Sequence, residues 1–84
     1  MIFLEYLMLD GYCRTEEGGT GDVVEISGQT KDQCRQRCNE LFTCVAFEFD
    51  SGTGRCETHS KGTTTSTGGQ NNVNCYLRRE GKKS

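Results

Sequence analysis

The stretch that decides the fold of this chain is TKDQCRQRCNELFTCVAFEFD, residues 30–50. Its start fits a capping box, in which the Thr30 hydroxyl accepts a hydrogen bond from the Gln33 amide and the Gln33 side chain reaches back to the cap. Three residues then recur at the spacing of one helix face, namely Cys34, Cys38 and Leu41. The pattern predicts a helix that runs to about Leu41 and buries its cysteines.

Residues 45–50 alternate apolar side chains with smaller or polar ones, which is the period of a half-buried strand. A turn cluster follows at 51–54, so 55–59 can return as the partner strand of a hairpin. We also expect strands at 11–14, 22–26 and 74–78. The stretch between Ser60 and Asn74 is rich in Thr, Ser, Gly and Asn and has almost nothing to bury, which predicts a loop.

The cysteine content sets the class of protein. The chain has six cysteines in 84 residues, while only 32% of its residues are apolar and none is Trp. A chain this short buries little apolar surface, and small extracellular domains compensate with disulfides. The net charge of −2 does not provide the strongly basic face that nucleic-acid binding requires. We therefore expect a disulfide-stabilised, secreted or extracellular module that does not bind nucleic acid.

The chain divides into one domain and two short ends. Residues 1–10 are apolar, but they are too short to span a membrane and lack the cationic start and cleavage site of a signal peptide. We expect them to form an extra strand or extended segment, without membrane insertion, and any signal peptide to lie outside this numbering. Residues 11–79 form the predicted domain. Residues 80–84 are expected to be a frayed polar tail.

Six cysteines allow fifteen pairings, and the sequence alone does not select one. Cys34 and Cys38 project side by side from the helix with Cβ atoms about 5–6 Å apart, beyond the roughly 3.5–4.5 Å of a disulfide. A four-residue hairpin loop places Cys56 opposite Phe49, on the face that the helix must cover, so Cys34–Cys56 is favoured. Cys44 points to the other face, which disfavours Cys44–Cys56 and leaves Cys44 near Cys38.

With these features the sequence resembles the PAN/apple domain family. The resemblance rests on Gly11-Tyr12-Cys13-Arg14, on Cys34-x-x-x-Cys38, and on Cys44-Val45-Ala46-Phe47-Glu48-Phe49 with the hairpin that follows. It continues through Cys56-Glu57-Thr58-His59 to the closing Cys75-Tyr76. The resemblance covers most of the chain, and the first ten residues and the Thr-rich loop lie outside it.

The resemblance implies a small disulfide-rich α+β fold, in which one α-helix packs across a curved antiparallel sheet. It also implies nested disulfides, which in this sequence are Cys13–Cys75, Cys34–Cys56 and Cys38–Cys44. Members of the family mediate protein–protein or protein–carbohydrate contacts. We therefore expect a protein or glycan ligand, no enzymatic activity and no cofactor.

Other uses of the residues are weakly indicated. A zinc site has one conceivable ligand set: Cys34, Cys38, Cys44 and His59. Its spacings miss the usual paired knuckles, and two cysteines would go unexplained. His59, the only histidine, is expected on the outer strand face across from Ala46, as a solvated side chain. The acidic pair Glu16-Glu17 lies in a Gly-rich loop that does not hold a rigid acid–base dyad. No metal or catalytic site is predicted.

Two hypotheses for function remain open. The first is a recognition module, for which we select four candidate ligand contacts: Arg14, Arg55, His59 and Tyr76. The alternative is a structural subunit that self-assembles into an oligomer or filament, with residues 1–10 adding as a strand to a neighbouring sheet edge. In a secreted protein the Thr-rich loop is also a candidate for O-glycosylation, at Thr63, Thr64, Thr65 and Thr67.

Overall fold

The structure, a computed structural model, describes residues 2–60, 62–69 and 72–82, with side chains from Glu5 to Arg79 within those ranges. Seven strands and one helix lie within these residues. In chain order they are β1 (Ile2–Asp10), β2 (Cys13–Thr15), β3 (Val23–Ile26), α1 (Lys31–Glu40), β4 (Ala46–Asp50), β5 (Arg55–His59), β6 (Thr63–Ser66) and β7 (Val73–Lys82).

Five of the strands form one antiparallel sheet in the order β1–β7–β4–β5–β3, and β2 pairs with β6 in a separate two-stranded sheet. The helix α1 packs against β4 and β5 on one face of the large sheet, which we call the helix face. The β2–β6 pair packs on the other face, which we call the opposite face. The predicted α+β fold, with one helix packed on an antiparallel sheet, is confirmed.

The helix begins as the sequence predicts. Thr30 Oγ1 accepts a hydrogen bond from the Gln33 amide at 3.1 Å, and the Gln33 side-chain oxygen accepts one from the Thr30 amide at 2.8 Å. The capping box is thus confirmed, and two backbone donors that a helix start leaves free are satisfied. Cys34 and Cys38 are the buried residues of α1, so the cysteines form its buried face.

The end of the helix is fixed by a residue distant in sequence. The Arg78 guanidinium donates hydrogen bonds to the carbonyl oxygens of Cys38, Leu41 and Cys44, at 3.0, 2.8 and 3.0 Å. Backbone carbonyls at a helix C-terminus have no partner within the helix. Cys38 and Leu41 also accept backbone hydrogen bonds, from the Leu41 and Cys44 amides. One side chain of β7 therefore adds to these bonds and ties the end of α1 to the sheet.

The β4–β5 hairpin has the predicted register. Phe49 pairs with Cys56, and Ala46 pairs with His59. Side chains alternate along a strand, so Phe49 and Cys56 point to the helix face, while His59 points to the opposite face. The loop length that the sequence indicated is therefore enough to assign the faces of both strands. The expectation that Cys44 points to the other face is wrong, because Cys44 precedes β4 and packs in the cluster on the helix face.

Each face of the large sheet has its own buried cluster. On the helix face it consists of Cys34, Cys38, Cys44, Phe47 and Cys56, with Tyr6, Phe49 and Tyr76 packed against them. On the opposite face it consists of Cys13, Ala46 and Cys75, with Leu9, Val45 and Leu77. Disulfides join Cys13 to Cys75, Cys34 to Cys56 and Cys38 to Cys44. These are the same three pairs that the resemblance implies.

The two ends of the chain meet in the large sheet. Residues 2–10 are β1, an edge strand paired with β7 over its whole length. Residues 80–82 were expected to be a frayed tail, whereas they continue β7 as partners of residues 2–4. Pairing uses main-chain hydrogen bonds, so polar side chains do not prevent it once a partner strand is present. Residues 83–84 lie outside the described residues.

The Thr-rich stretch is the second departure from expectation. It was predicted to be a loop, but Thr63–Ser66 form β6 and pair with β2. Threonine is β-branched and favours extended backbone, and β2 offers an edge to pair with. The stretch lacks the apolar alternation of a half-buried strand, which is why its pattern did not indicate one.

Candidate functional site

The two faces of the large sheet differ in chemistry because side chains alternate along β4. Phe47 points to the helix face and Glu48 to the opposite face, and each is 1% exposed. The neighbouring strands follow the same rule, since Tyr76 of β7 pairs with Phe47 and Glu57 of β5 pairs with Glu48. Aromatic rings therefore collect on the helix face, and charged groups collect on the opposite face.

Three aromatic rings meet on the helix face where β1, β7 and β4 lie side by side. The Phe47 and Tyr76 rings stack with their centroids 4.5 Å apart and an interplanar angle of 13°. The Tyr6 ring meets Phe47 edge-on, with the centroids 4.9 Å apart. Phe47 is buried, whereas Tyr6 and Tyr76 are half-buried. Phe47 also packs in the disulfide cluster, so the rings rest on a rigid base.

The helix supplies the second wall. Lys31, Arg35 and Asn39 recur every four residues and so share one side of α1. The Tyr6 hydroxyl donates a hydrogen bond to Asn39 Oδ1 at 2.6 Å, and the Arg35 guanidinium carbon lies 5.5 Å from the centroid of the Tyr6 ring, within the range of a cation–π contact. Burial raises the pKa of Tyr6, although Arg78 and Arg35 act to lower it.

An open cleft of about 270 Å³ lies between these walls, and we call it the aromatic cleft. Besides the three rings it is lined by Met8, Lys31, Arg35 and Glu5. Neither Lys31 nor Arg35 forms a salt bridge with a carboxylate in the described part of the chain. Alternation along β1 turns the Glu5 side chain away from the helix face. The cleft therefore combines aromatic surface with two cations that are available to a ligand.

The opposite face buries an ionic cluster. Glu48 Oε2 accepts a hydrogen bond from the Arg55 guanidinium at 2.6 Å, and its Oε1 accepts one from the Cys13 amide at 2.8 Å. Burial raises the pKa of Glu48 in spite of these two contacts. The guanidinium carbons of Arg14 and Arg55 lie 5.3 and 5.5 Å from the centroid of the Tyr12 ring. The cluster thus holds the segment that contains β2 against β4 and β5.

His59 belongs to this cluster and is completely buried, so the expectation of a solvated side chain is wrong. Its Nδ1 lies 3.0 Å from the carbonyl oxygen of Thr20, because the segment before β3 covers the ring. Its Nε2 lies 3.3 Å from Glu57 Oε1. This contact does not have hydrogen-bond geometry, yet the interaction with His59 is the largest cause that lowers the pKa of Glu57.

The residues selected as ligand contacts do not form one site. Arg55 and His59 belong to the ionic cluster of the opposite face, and Arg14 lies beside it over the Tyr12 ring. Tyr76 alone lies in the aromatic cleft. Sequence reasoning missed the other cleft residues, chiefly Tyr6, Lys31 and Arg35. The spacing of four between Lys31 and Arg35 indicated a shared helix side, but no signal in the sequence showed which strand would lie beside it.

The candidate glycosylation residues differ in accessibility. Thr63 is only 7% exposed, so it is less accessible than its neighbours on β6. Thr67 Oγ1 accepts a hydrogen bond from the Tyr12 amide at 3.0 Å. Thr64 and Thr65 are exposed on β6. O-glycosylation of the exposed threonines stays a prediction.

Among the residues that the structure describes, we consider two sets with metal-ligand types, and the cysteines of both are in disulfides. Ligand atoms of Cys13, Glu48 and His59 lie within 4.8 Å of one another, but Cys13 Sγ is bonded to Cys75. The three cysteines of the zinc set considered above are also in disulfides. Zinc is bound by a thiolate, and none of these sulfur atoms is one.

Comparison with known proteins gives one match. A family model described as PAN domain matches residues 12–80, which leaves β1 outside the matched region. No curated protein and no solved structure matches the chain. Among the described residues, no helix is both long and apolar enough to cross a membrane.

Proposed function

Because this chain belongs to the PAN domain family, we propose that it is a non-catalytic, extracellular recognition module that mediates protein–protein or protein–carbohydrate contacts. PAN domains are in general protein- or carbohydrate-binding modules, and a small domain with three disulfides is typical of extracellular proteins. The single observation that carries the proposal for this chain is the aromatic cleft.

The cleft has the features of a preformed binding site. Ligand sites are concave, largely apolar, and carry a few well-placed polar groups. Here Tyr6 and Tyr76 present half-buried rings, and Lys31 and Arg35 place cations beside them. The Cys34–Cys56 disulfide lies in the same cluster as Phe47. Little ordering of side chains is therefore needed when a ligand binds, and this lowers the entropic cost of association.

The placement of the titratable groups supports a non-catalytic role. Glu48 and His59 are buried and engaged with Arg55 and the Thr20 carbonyl, whereas a general base must reach the proton that it abstracts. In the described part of the aromatic cleft, the ionisable groups are two cations, tyrosine hydroxyls and Glu5, whose side chain turns away. This set suits binding and contains no acid–base pair.

A glycan array, together with pull-downs against extracellular matrix components, tests the proposal. We expect at least one ligand class whose binding is weakened by Arg35→Gln and unaffected by Arg79→Gln. Arg79 is the matched control because it is also exposed but lies on β7 with its side chain alternating away from the helix face. If every bound ligand is indifferent to Arg35→Gln, the aromatic cleft is not the recognition site.

Self-assembly is a second candidate function, favoured by the outer edge of β1. This strand pairs with β7 on one side and has no neighbour on its other side among the described strands. Leu7 and Met8 are 43% and 57% exposed. A long apolar edge strand without proline or lysine is a template for a further strand, and a second copy of the chain would extend the sheet there.

Light scattering over a concentration series tests this second candidate. We expect an increase in mass with concentration for the unchanged chain, and a monomeric mass for Leu7→Lys, because a charge on an edge strand opposes strand addition. A monomeric mass for the unchanged chain at every concentration would rule self-assembly out and leave the recognition module alone.

A further inference from the structure

One wall of the aromatic cleft comes from the strand that the PAN domain match does not include. Met8 of β1 pairs with Tyr76 of β7, which in turn pairs with Phe47 of β4. These three side chains form one row across the helix face, and Tyr6 closes the row on the side of α1 through its hydrogen bond to Asn39. Without β1, the Tyr76 ring would lie at an open sheet edge. The added strand therefore makes the cleft.

The exposed ring surfaces indicate what kind of group fits between them. An aromatic face carries negative charge density and its edge carries positive density. The C–H groups on one face of a pyranose ring are weakly positive and lie nearly in a plane, so they complement an aromatic face. Tyr6 and Tyr76 are half-buried, so each ring keeps part of its surface exposed to the cleft. An aliphatic Asp or Glu side chain of a peptide has no comparable flat face.

The charges beside the rings indicate an anion. Lys31 and Arg35 line the cleft one helical turn apart, and neither is paired with a carboxylate in the described part of the chain. Arg78 lies close enough to act on the Tyr6 hydroxyl together with Arg35. The whole chain carries a net charge of −2, so this local excess of positive charge is not a consequence of composition.

The size of the cleft limits the ligand to a single ring. Its volume is about 270 Å³, just below the roughly 300–1,000 Å³ typical of sites for drug-sized molecules. One sugar residue can enter, and the rest of a glycan must lie outside over α1 or β1. Because the cleft is open to solvent, a sugar unit can enter it while the adjoining sugar units of a longer glycan stay outside.

We infer that the aromatic cleft binds one anionic pyranose residue of a glycan, bearing a carboxylate or a sulfate, with its ring against Tyr6 and Tyr76 and its acidic group on Lys31 and Arg35. This inference rests on the proposed recognition function and goes further by naming the ligand class and by assigning β1 to the site. The carboxylate and the sulfate share the chemistry of an oxyanion bound by cations.

Calorimetric titration with matched sugars tests the ligand class. The probes are an oligoglucuronate, the same oligosaccharide with its carboxyl groups reduced to alcohols, dextran sulfate and unmodified dextran. We expect each anionic probe to bind about tenfold or more tightly than its neutral counterpart, because hydrogen bonds to charged groups are worth that much. The two anionic arms show which oxyanion is preferred. Equal affinity for charged and neutral counterparts would overturn the inference.

Variants separate binding in the cleft from general attraction of polyanions. Lys31→Gln and Arg35→Gln should each lower the affinity for the anionic sugars about tenfold, while Arg79→Gln should leave this affinity unchanged. An oligoglutamate peptide of equal charge should bind weakly. Equal effects of Arg35→Gln and Arg79→Gln, or equal binding of the peptide, would show a diffuse electrostatic contact and contradict the inference.

The role of β1 is tested by two neighbouring residues that are both exposed in the folded chain. Met8→Ser should weaken sugar binding about threefold, through the loss of roughly one methylene's worth of buried apolar contact. Leu7→Ser should have no effect, because alternation places Leu7 on the opposite face. Equal affinities for Met8→Ser and the unchanged chain would contradict a cleft wall built by β1.

The same experiments distinguish failure of this inference from failure of the proposed function. If a neutral glycan or a peptide binds and Arg35→Gln abolishes its binding, the recognition module stands and the anionic sugar is wrong. If ligands bind and no cleft variant alters their binding, the cleft is not the recognition site and this inference is wrong. If no glycan and no matrix component binds at all, the proposed function is wrong. Far-ultraviolet circular dichroism and thermal unfolding of each variant show that the fold is retained.

Discussion

The helix face and the opposite face of the large sheet bury neighbouring residues of the same strand by different means. On the helix face, Phe47 is covered by other rings and lies in a cluster with two disulfides. On the opposite face, Glu48 is covered by Arg55, by the Cys13 amide and by the segment that contains β2. Apolar burial is non-directional, whereas a buried carboxylate requires a partner for each oxygen.

This difference explains why the cleft lies on the helix face. Apolar packing tolerates partly exposed rings at its border, so Tyr6 and Tyr76 can remain half-buried and available. The ionic cluster is stable only when water is excluded and every member keeps its partner. The opposite face is therefore closed by β2 and β6, and two residues selected as ligand contacts, Arg55 and His59, take part in its ionic cluster.

The largest loss of stability is expected from removing the disulfide of the helix face that closes the longer loop, Cys34–Cys56. Replacement of both Cys34 and Cys56 by Ala should lower the free energy of unfolding by about 3 kcal/mol or more, because the unfolded chain gains loop entropy and a void opens beside Phe47. The matched control replaces Cys38 and Cys44, whose sequence separation is 6 instead of 22, at about 2 kcal/mol. Denaturant unfolding compares the two variants, and a larger loss for the Cys38/Cys44 variant would contradict the account.

On the opposite face, replacing Arg55 alone should destabilise the fold more than replacing both Arg55 and Glu48. Arg55→Met leaves Glu48 buried without its guanidinium and should destabilise the chain by about 2 kcal/mol, less than a fully buried pair because Arg55 is 27% exposed. The double variant Glu48→Gln with Arg55→Met should recover much of that loss, because glutamine carries no charge and its side-chain oxygen can still accept from the Cys13 amide. A double variant that is no more stable than Arg55→Met would contradict this prediction.

Two carboxyl groups of the opposite face, Glu57 and Glu48, should change the stability of the fold in opposite directions when the pH falls. His59 is the main cause that lowers the pKa of Glu57 below its ordinary value of 4.5. The ionised Glu57 therefore stabilises the fold at pH values above 4.5, and this stabilisation is lost as the pH falls through the pKa of Glu57 in the folded chain. Burial raises the pKa of Glu48 above its ordinary value of 4.5. The protonated Glu48 therefore stabilises the fold at pH values below 4.5, and this stabilisation is lost as the pH rises through the pKa of Glu48 in the folded chain.

Stability measured between pH 3 and 6 in two variants tests these opposite effects. Glu57→Gln should flatten the loss of stability on acidification, and Glu48→Gln should steepen it, because the glutamine no longer takes up the proton that favours the folded state. Slopes that change in the same direction for both variants would show that His59 and burial do not act as described.

The smallest effect is expected at the border of the cleft. Tyr6→Phe removes the hydrogen bond to Asn39 and should cost about 1 kcal/mol. Burial raises the pKa of Tyr6 above its ordinary value of 10.0, so the neutral form stabilises the fold, and that stability is lost as the pH rises. The unchanged chain should lose more stability above pH 10 than Tyr6→Phe. Identical alkaline losses would place the Tyr6 hydroxyl in solvent.

The helix and hairpin were predictable because their signals are local. The capping box of Thr30 and Gln33, the alternation over 45–50 and the length of the hairpin loop each depend on residues close in sequence. They were sufficient to predict the register of Phe49 with Cys56. The disulfide set followed from a family resemblance, because geometry alone only narrowed the fifteen pairings.

The opposite face and the cleft were not predictable because they depend on distant pairings. The burial of Glu48 requires β2, and that of His59 requires the segment before β3. In addition, Arg14 pairs with Thr65 across a large sequence separation. The cleft requires β1 to pair with β7 so that Met8 lies beside Tyr76. Neither a Thr-rich stretch nor an apolar terminal segment carries a signal for its partner strand.

The pairing of β1 with β7 also determines how the domain carries a mechanical load. Ile2 lies opposite Lys82 at one end of this ladder, and Leu9 lies opposite Cys75 near the other end. Tension between residues 2 and 82 would therefore separate the pairs in succession, as a zipper opens, because each antiparallel pair bears the force in turn. The opening reaches Cys75, which is joined to Cys13. From there the force passes into a covalent bond, so the domain would release a fixed length of chain under tension and then hold.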